Sequence, residues 1–94
     1  MSEPRVRVRA VVRGRVQQVG FRAFVLRHAE RLGLDGTVAN RHDGSVETVV
    51  EGPRAAVDEL VRKLRKGPPV SRVDEVDITE AEATGQLPPM RISL

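Results

Sequence analysis

The 94-residue chain has no cysteine, tryptophan or tyrosine, and Phe21 and Phe24 are its only phenylalanines. Without cysteine it has no disulfide, thiolate metal site, iron–sulfur cluster or thiol nucleophile, and bears no mark of an oxidising compartment. With its two phenyl rings on one helical stripe, it lacks the stacking platform used to recognise single-stranded RNA. No apolar run approaches the roughly 18 residues of a membrane span, and the N-terminal stretch from Met1 to Arg5 has no signal-like apolar core. The expected setting is the cytoplasm, away from membranes. Lysine is scarce too: Lys63 and Lys66 are the only two, and arginine supplies the rest of 16 basic residues against 13 acidic ones, a net +3 at pH 7. An excess so small and so scattered argues against a nucleic-acid partner.

What is present suits one compact domain. The hydrophobic set makes up 39% and the charged set 31% of the chain, with no low-complexity tract, so a single domain over residues 1–94 is expected, with 1–4 flexible, acting as a monomer. Val6, Val8, Ala10 and Val12 alternate with charged residues, apart from Val11, which predicts a half-buried strand. From Phe21 the period lengthens. Phe21, Phe24, Val25, His28, Ala29 and Leu32 fall on one helical stripe, closed by Gly33 with Leu34 folding back onto the last turn.

Residues 36–41 and 45–51 read as a hairpin turned by His42-Asp43-Gly44. Pro53 suits a first helical position, and Val57, Leu60, Val61 and Leu64 form a second stripe ending at Gly67-Pro68-Pro69. Val70, Val73, Val76 and Ile78 predict a further strand, bulged or with an irregular lead-in, and the segment from Met90 to Leu94 an added edge strand. The order β-α-β-β-α-β predicts an α+β, ferredoxin-like sandwich: an antiparallel sheet with both helices on one face.

Chemistry concentrates between the first strand and the first helix, in Gly14-Arg15-Val16-Gln17-Gln18-Val19-Gly20-Phe21-Arg22. A loop entering a helix N-terminus presents unpaired N–H groups and the positive end of the helix dipole, which together attract an anion such as phosphate. Gly14 and Gly20 let the backbone curl into an anion-binding nest. Arg22, in the first helical turn, adds a planar fork of donors. The string is neither a G-x-x-x-x-G-K-[ST] nor a G-x-G-x-x-G loop, so a nucleotide is not the expected ligand. Read on the residues alone, a plain turn and a solvated arginine stay open as alternatives, as does a turn asparagine at Asn40.

The same stretch resembles the acylphosphatase signature G-x-V-Q-G-V-x-F-R. Gly44-Ser45-Val46-Glu47 and Gly67-Pro68 fall where that family has D-G-x-V-E and G-P. The resemblance implies a ferredoxin-like fold and metal-independent hydrolysis of carboxyl-phosphate anhydrides, with no cofactor. The substrate it implies is a small acyl phosphate, with inorganic phosphate as product and inhibitor. By the same resemblance Arg22 binds phosphate, together with the backbone of Gly14, Arg15, Val16, Gln17, Gln18, Val19 and Gly20, and Asn40 holds the attacking water. Two positions depart from the family pattern. Gln18 replaces the second signature glycine, costing about 1 kcal/mol if φ is positive there. The family's G-W-V-R-N reads Gly36-Thr37-Val38-Ala39-Asn40.

An acyl phosphate carries a good leaving group, so the demands that remain are charge gathering and water positioning. An asparagine amide suits the second task and is too weak a base to take the proton. His28 and His42 have no carboxylate or histidine at metal-like spacing, and structural roles are expected of both. The alternative function is a non-catalytic phosphate-binding regulatory module on the same fold.

Overall fold

The alternation predicted for the first strand is what places a continuous apolar layer under both helices. The computed structural model describes residues 4–94. Its elements are β1 (Arg5–Arg15), α1 (Phe21–Arg31), β2 (Asp35–Asn40), β3 (Val46–Pro53), α2 (Arg54–Lys66), β4 (Arg72–Glu82) and β5 (Arg91–Ile92). The expectation of a flexible start falls, for residues 1–3, outside the described residues; the Pro4 carbonyl accepts a hydrogen bond from Arg54 N at 3.1 Å.

The sheet order is β4-β1-β3-β2-β5. β1 pairs antiparallel with β3 and β4, and β2 with β3. The fold is the ferredoxin-like α+β sandwich, with one correction to a wholly antiparallel sheet: β5 runs parallel to β2. From one sheet face Val8, Ala10, Val12, Val38, Val46 and Val50 meet Phe21, Val25 and Ala29 of α1 and Val57, Leu60 and Leu64 of α2. Each large apolar side chain buried this way contributes about 1.5–3 kcal/mol.

The helix ends follow the sequence closely. Leu34 N donates to Ala29 O at 2.9 Å and Gly33 N to Glu30 O at 3.0 Å. That pairing satisfies two orphan carbonyls of α1 and buries Leu34 beneath them. Pro53 closes β3 and precedes the first turn of α2 instead of opening it. The strand predicted from Val70 begins later than its apolar spacing suggested: Val70 lies outside β4 and is 67% exposed. The β1–β4 register slips between Arg13 and Gly14, which leaves Asp74 as the extra residue of a bulge.

On the face away from the helices Glu51 is buried. Its carboxylate accepts hydrogen bonds from Thr84 N at 2.8 Å, Gly85 N at 2.9 Å, the Thr84 hydroxyl at 2.9 Å and Arg7 Nη1 at 3.1 Å. Burial alone would push this carboxyl up, but the four donors override it and hold it at about 2, below its ordinary 4.5. A folded-state value depressed in this way stabilises the protein above pH 4.5 and loses that contribution as pH falls towards 2. Urea midpoints measured across that window should fall less steeply for Glu51→Gln than for the native chain. Parallel slopes would remove Glu51 as a source of acid lability.

Candidate active site

The loop between β1 and α1 turns on two left-handed residues, Gln18 at φ 62° and Gly20 at φ 77°. Gln18 is the one non-glycine residue with positive φ among the described residues. The side chain that replaces the signature glycine therefore stands in the backbone conformation that glycine favours. Gln18→Gly should stabilise the protein by up to about 1 kcal/mol, the left-handed cost less the added chain entropy. Gln18→Val, branched at Cβ, should destabilise it. Urea unfolding of the two variants checks both signs.

α1 follows directly, with no side-chain cap at Gly20 and no acidic residue in its first turn. Its N-terminal amides and positive dipole end are therefore left to a ligand. Gln17 fixes where the loop stands. Its carboxamide nitrogen donates to Arg41 O at 2.8 Å and Ser45 O at 2.9 Å. These two carbonyls bracket the β2–β3 turn, which Asp43 closes by accepting from Ser45 N at 2.9 Å. The loop and the turn after Asn40 are thus one bonded unit.

Val16, Gln18, Gly20, Arg22 and Asn40 come together around a cavity of about 160 Å³. Asn40 pairs with Val46 at the end of β2. It lies two residues beyond the fully buried Val38, so it projects from the sheet face that carries the helices. Eight arginines form ion pairs with carboxylates. Among the described residues Arg22 is not one of them, and it is the only partly buried arginine without such a partner. A half-buried cation with no counter-charge of its own is disfavoured unless an anion completes it.

The structure brings together part of the predicted set. Gly14 and Arg15 belong to β1, in register with Val73 and Arg72 of β4, and do not line the cavity. A Cβ at Gly14, where φ is 134°, would run into the Arg72 carbonyl. That glycine serves the close approach of β4. Gln17 and Val19 do not line the cavity either; Val19 packs against the core. Of the loop, Val16, Gln18 and Gly20 reach the cavity.

Sequence reasoning missed Ile92, which lines the cavity from β5. Its only signal was the apolar spacing of the last five residues.

A larger hollow of about 450 Å³ lies between Phe24, His28, Lys63, Lys66 and Pro68. It contains neither Arg22 nor Asn40. His28 stacks edge-on against Phe24, with centroids 4.6 Å apart. Burial, then the charges of Arg31, Lys63 and Arg27, lower its pKa below 6.5. His42 stays exposed in the hairpin turn. Among the described residues no three His, Asp or Glu side chains form a group that could hold a metal ion, and no helix is long and apolar enough to cross a membrane.

A family model described as Acylphosphatase matches residues 8–90. An acylphosphatase of Caldivirga maquilingensis is 53% identical over 78 residues, spanning 82% of this chain and 82% of that protein. Another, from Moorella thermoacetica, is 51% identical over 81 residues, 86% of this chain and 87% of its own length. The crystal structure of acylphosphatase from Bacillus subtilis matches with a TM-score of 0.91 at 38% identity, over 95% of this chain and 99% of that one.

Proposed function

The chain belongs to the acylphosphatase family, and from that premise we propose how its residues hydrolyse an acyl phosphate. The amides from Val16 to Gly20, the first turn of α1 and the Arg22 guanidinium donate hydrogen bonds to the phosphoryl oxygens. As charge gathers on those oxygens in the transition state, the fixed donors stabilise it without reorganising. The Asn40 carboxamide orients one water in line with the breaking bond. The water oxygen bonds to phosphorus, the bond to the acyl oxygen breaks, and its electron pair leaves with the carboxylate. The water's proton passes to a phosphoryl oxygen. The products are a carboxylate and inorganic phosphate, and phosphate inhibits by reoccupying the cradle.

Support for these roles comes chiefly from one observation: Arg22, half-buried and, among the described residues, without a carboxylate partner, shares a cavity with Asn40 and the left-handed loop. At about 160 Å³ the cavity is smaller than the roughly 300–1,000 Å³ of sites that enclose a whole ligand, which suits a phosphoryl group with its acyl part outside. All the groups come from one chain, so the proposal requires no second copy, metal or cofactor, and we place the working protein in the cytoplasm as a monomer. Neither a nucleic acid nor a membrane enters the scheme.

The alternative of a non-catalytic phosphate-binding module gives way to the catalytic reading, because relatives about half identical carry the name acylphosphatase. Benzoyl phosphate incubated with the protein and a chelator should be hydrolysed well above its spontaneous rate. Hydrolysis at only the spontaneous rate would overturn the assignment.

A further inference from the structure

The active-site cavity has an apolar wall to which the scheme above gives no task. Val16 and Phe21 form its buried floor, whereas Ile92 stands at the rim, 39% exposed. β5 runs parallel to β2 with Ile92 beside Val38, and Ser93 N donates to Val38 O at 2.8 Å. Neighbours in register share a sheet face, so Ile92 lies on the same side as Val38 and, two residues further along β2, Asn40. In-line displacement puts the nucleophile and the leaving group on opposite sides of phosphorus. Ile92 lines the same cavity as Asn40 from the adjacent strand, next to where the scheme above puts the incoming water.

We propose that Ile92 selects the nucleophile: its branched side chain closes the space beside the Asn40 carboxamide, so that water fits there and a larger hydroxyl compound does not. This rests on the assignment of Asn40 as the group that holds the attacking water. In a site widened at residue 92, methanol can take the water's place. Its oxygen bonds to phosphorus as the bond to the acyl oxygen breaks, and the electron pair leaves with the carboxylate. The methanol proton passes to a phosphoryl oxygen, and the product is methyl phosphate.

The test compares the native chain, Ile92→Val and Ile92→Ala with benzoyl phosphate in water–methanol mixtures. Phosphorus NMR reads the ratio of methyl phosphate to inorganic phosphate, corrected for the uncatalysed reaction. The native ratio should lie far below the mole ratio of the two solvents. It should rise through Val to Ala by about tenfold, the lower end of what one methylene commands in an apolar pocket. Inhibition by inorganic phosphate should be alike in all three, which a general loosening of the fold would not leave intact. Because Ile92 is partly exposed on a two-residue terminal strand, the Val variant keeps the comparison valid should Ala unfold. One ratio common to all three proteins, or a native ratio that already matches the solvent, would overturn the proposal. Full activity in Asn40→Ala would instead remove the assignment on which it rests.

Discussion

Arg22→Ala should lose about 10³-fold or more in kcat/KM for benzoyl phosphate, because a two-pronged, charge-assisted contact is worth roughly 1.5–3 kcal/mol per bond. Inhibition by inorganic phosphate should vanish with it, since the ground-state dianion and the transition state use the same fork. Stability should move the other way. Among the described residues Arg22 has no carboxylate partner and is half-buried, so its removal relieves an uncompensated desolvation. The urea midpoint is expected to hold or rise. Arg22→Lys should recover only part of the activity, because a point charge cannot reproduce planar bidentate geometry. Lost activity with a falling midpoint and unchanged phosphate inhibition would mean that Arg22 supports the fold and not the ligand.

Asn40→Ala separates positioning from binding. Without the carboxamide the cradle still holds phosphate, so inhibition by phosphate should persist while kcat drops by about 10²-fold or more, as for other deleted transition-state donors. KM for benzoyl phosphate should change little, because the lost contact is to the water. A variant with native kcat would leave the water without its holder and refute the role.

Much of this was legible in the chain because periodicity reports burial. The period-two run in β1 and the three-and-four spacing of α1 and α2 gave the layers, and Asp43-Gly44 gave the hairpin. Gly33 and Leu34 gave the end of α1. What periodicity cannot report is which partner a residue meets. Gly14 reads in the sequence as part of the candidate phosphate loop, and its conformation answers to the carbonyl of Arg72, 58 positions away along the chain. Glu51 reads as the polar residue of an alternating strand, and nothing local signals that Thr84 and Gly85 cover it with donors. β5 spans two residues, too few to show a period. Its parallel placement beside β2, and with it the position of Ile92, follows from the return of the chain across the sheet edge, where Gly36 N donates to Pro88 O at 2.8 Å.

At the candidate site the residue types were readable and their convergence was not. Arg22 lies in the first turn of α1 and Asn40 at the end of β2. Only the β2–β3–β1 pairing, fastened by Gln17 to the carbonyls of Arg41 and Ser45, brings them to one cavity. Gln18 is the opposite case. Its departure from the signature was visible at once, and its φ of 62° shows that the loop keeps its turn despite the side chain.

The central claim is that a curled backbone loop and one guanidinium hold a phosphoryl group beside a carboxamide. Crystals grown with orthovanadate, which mimics the five-coordinate phosphorus of the displacement, test it most directly. Vanadium should lie within the small cavity, its equatorial oxygens on the amides of the Val16–Gly20 segment and on Arg22, and an apical oxygen within hydrogen-bond reach of the Asn40 side chain. Vanadate bound instead among Lys63, Lys66 and His28, with the small cavity holding only solvent, would contradict it.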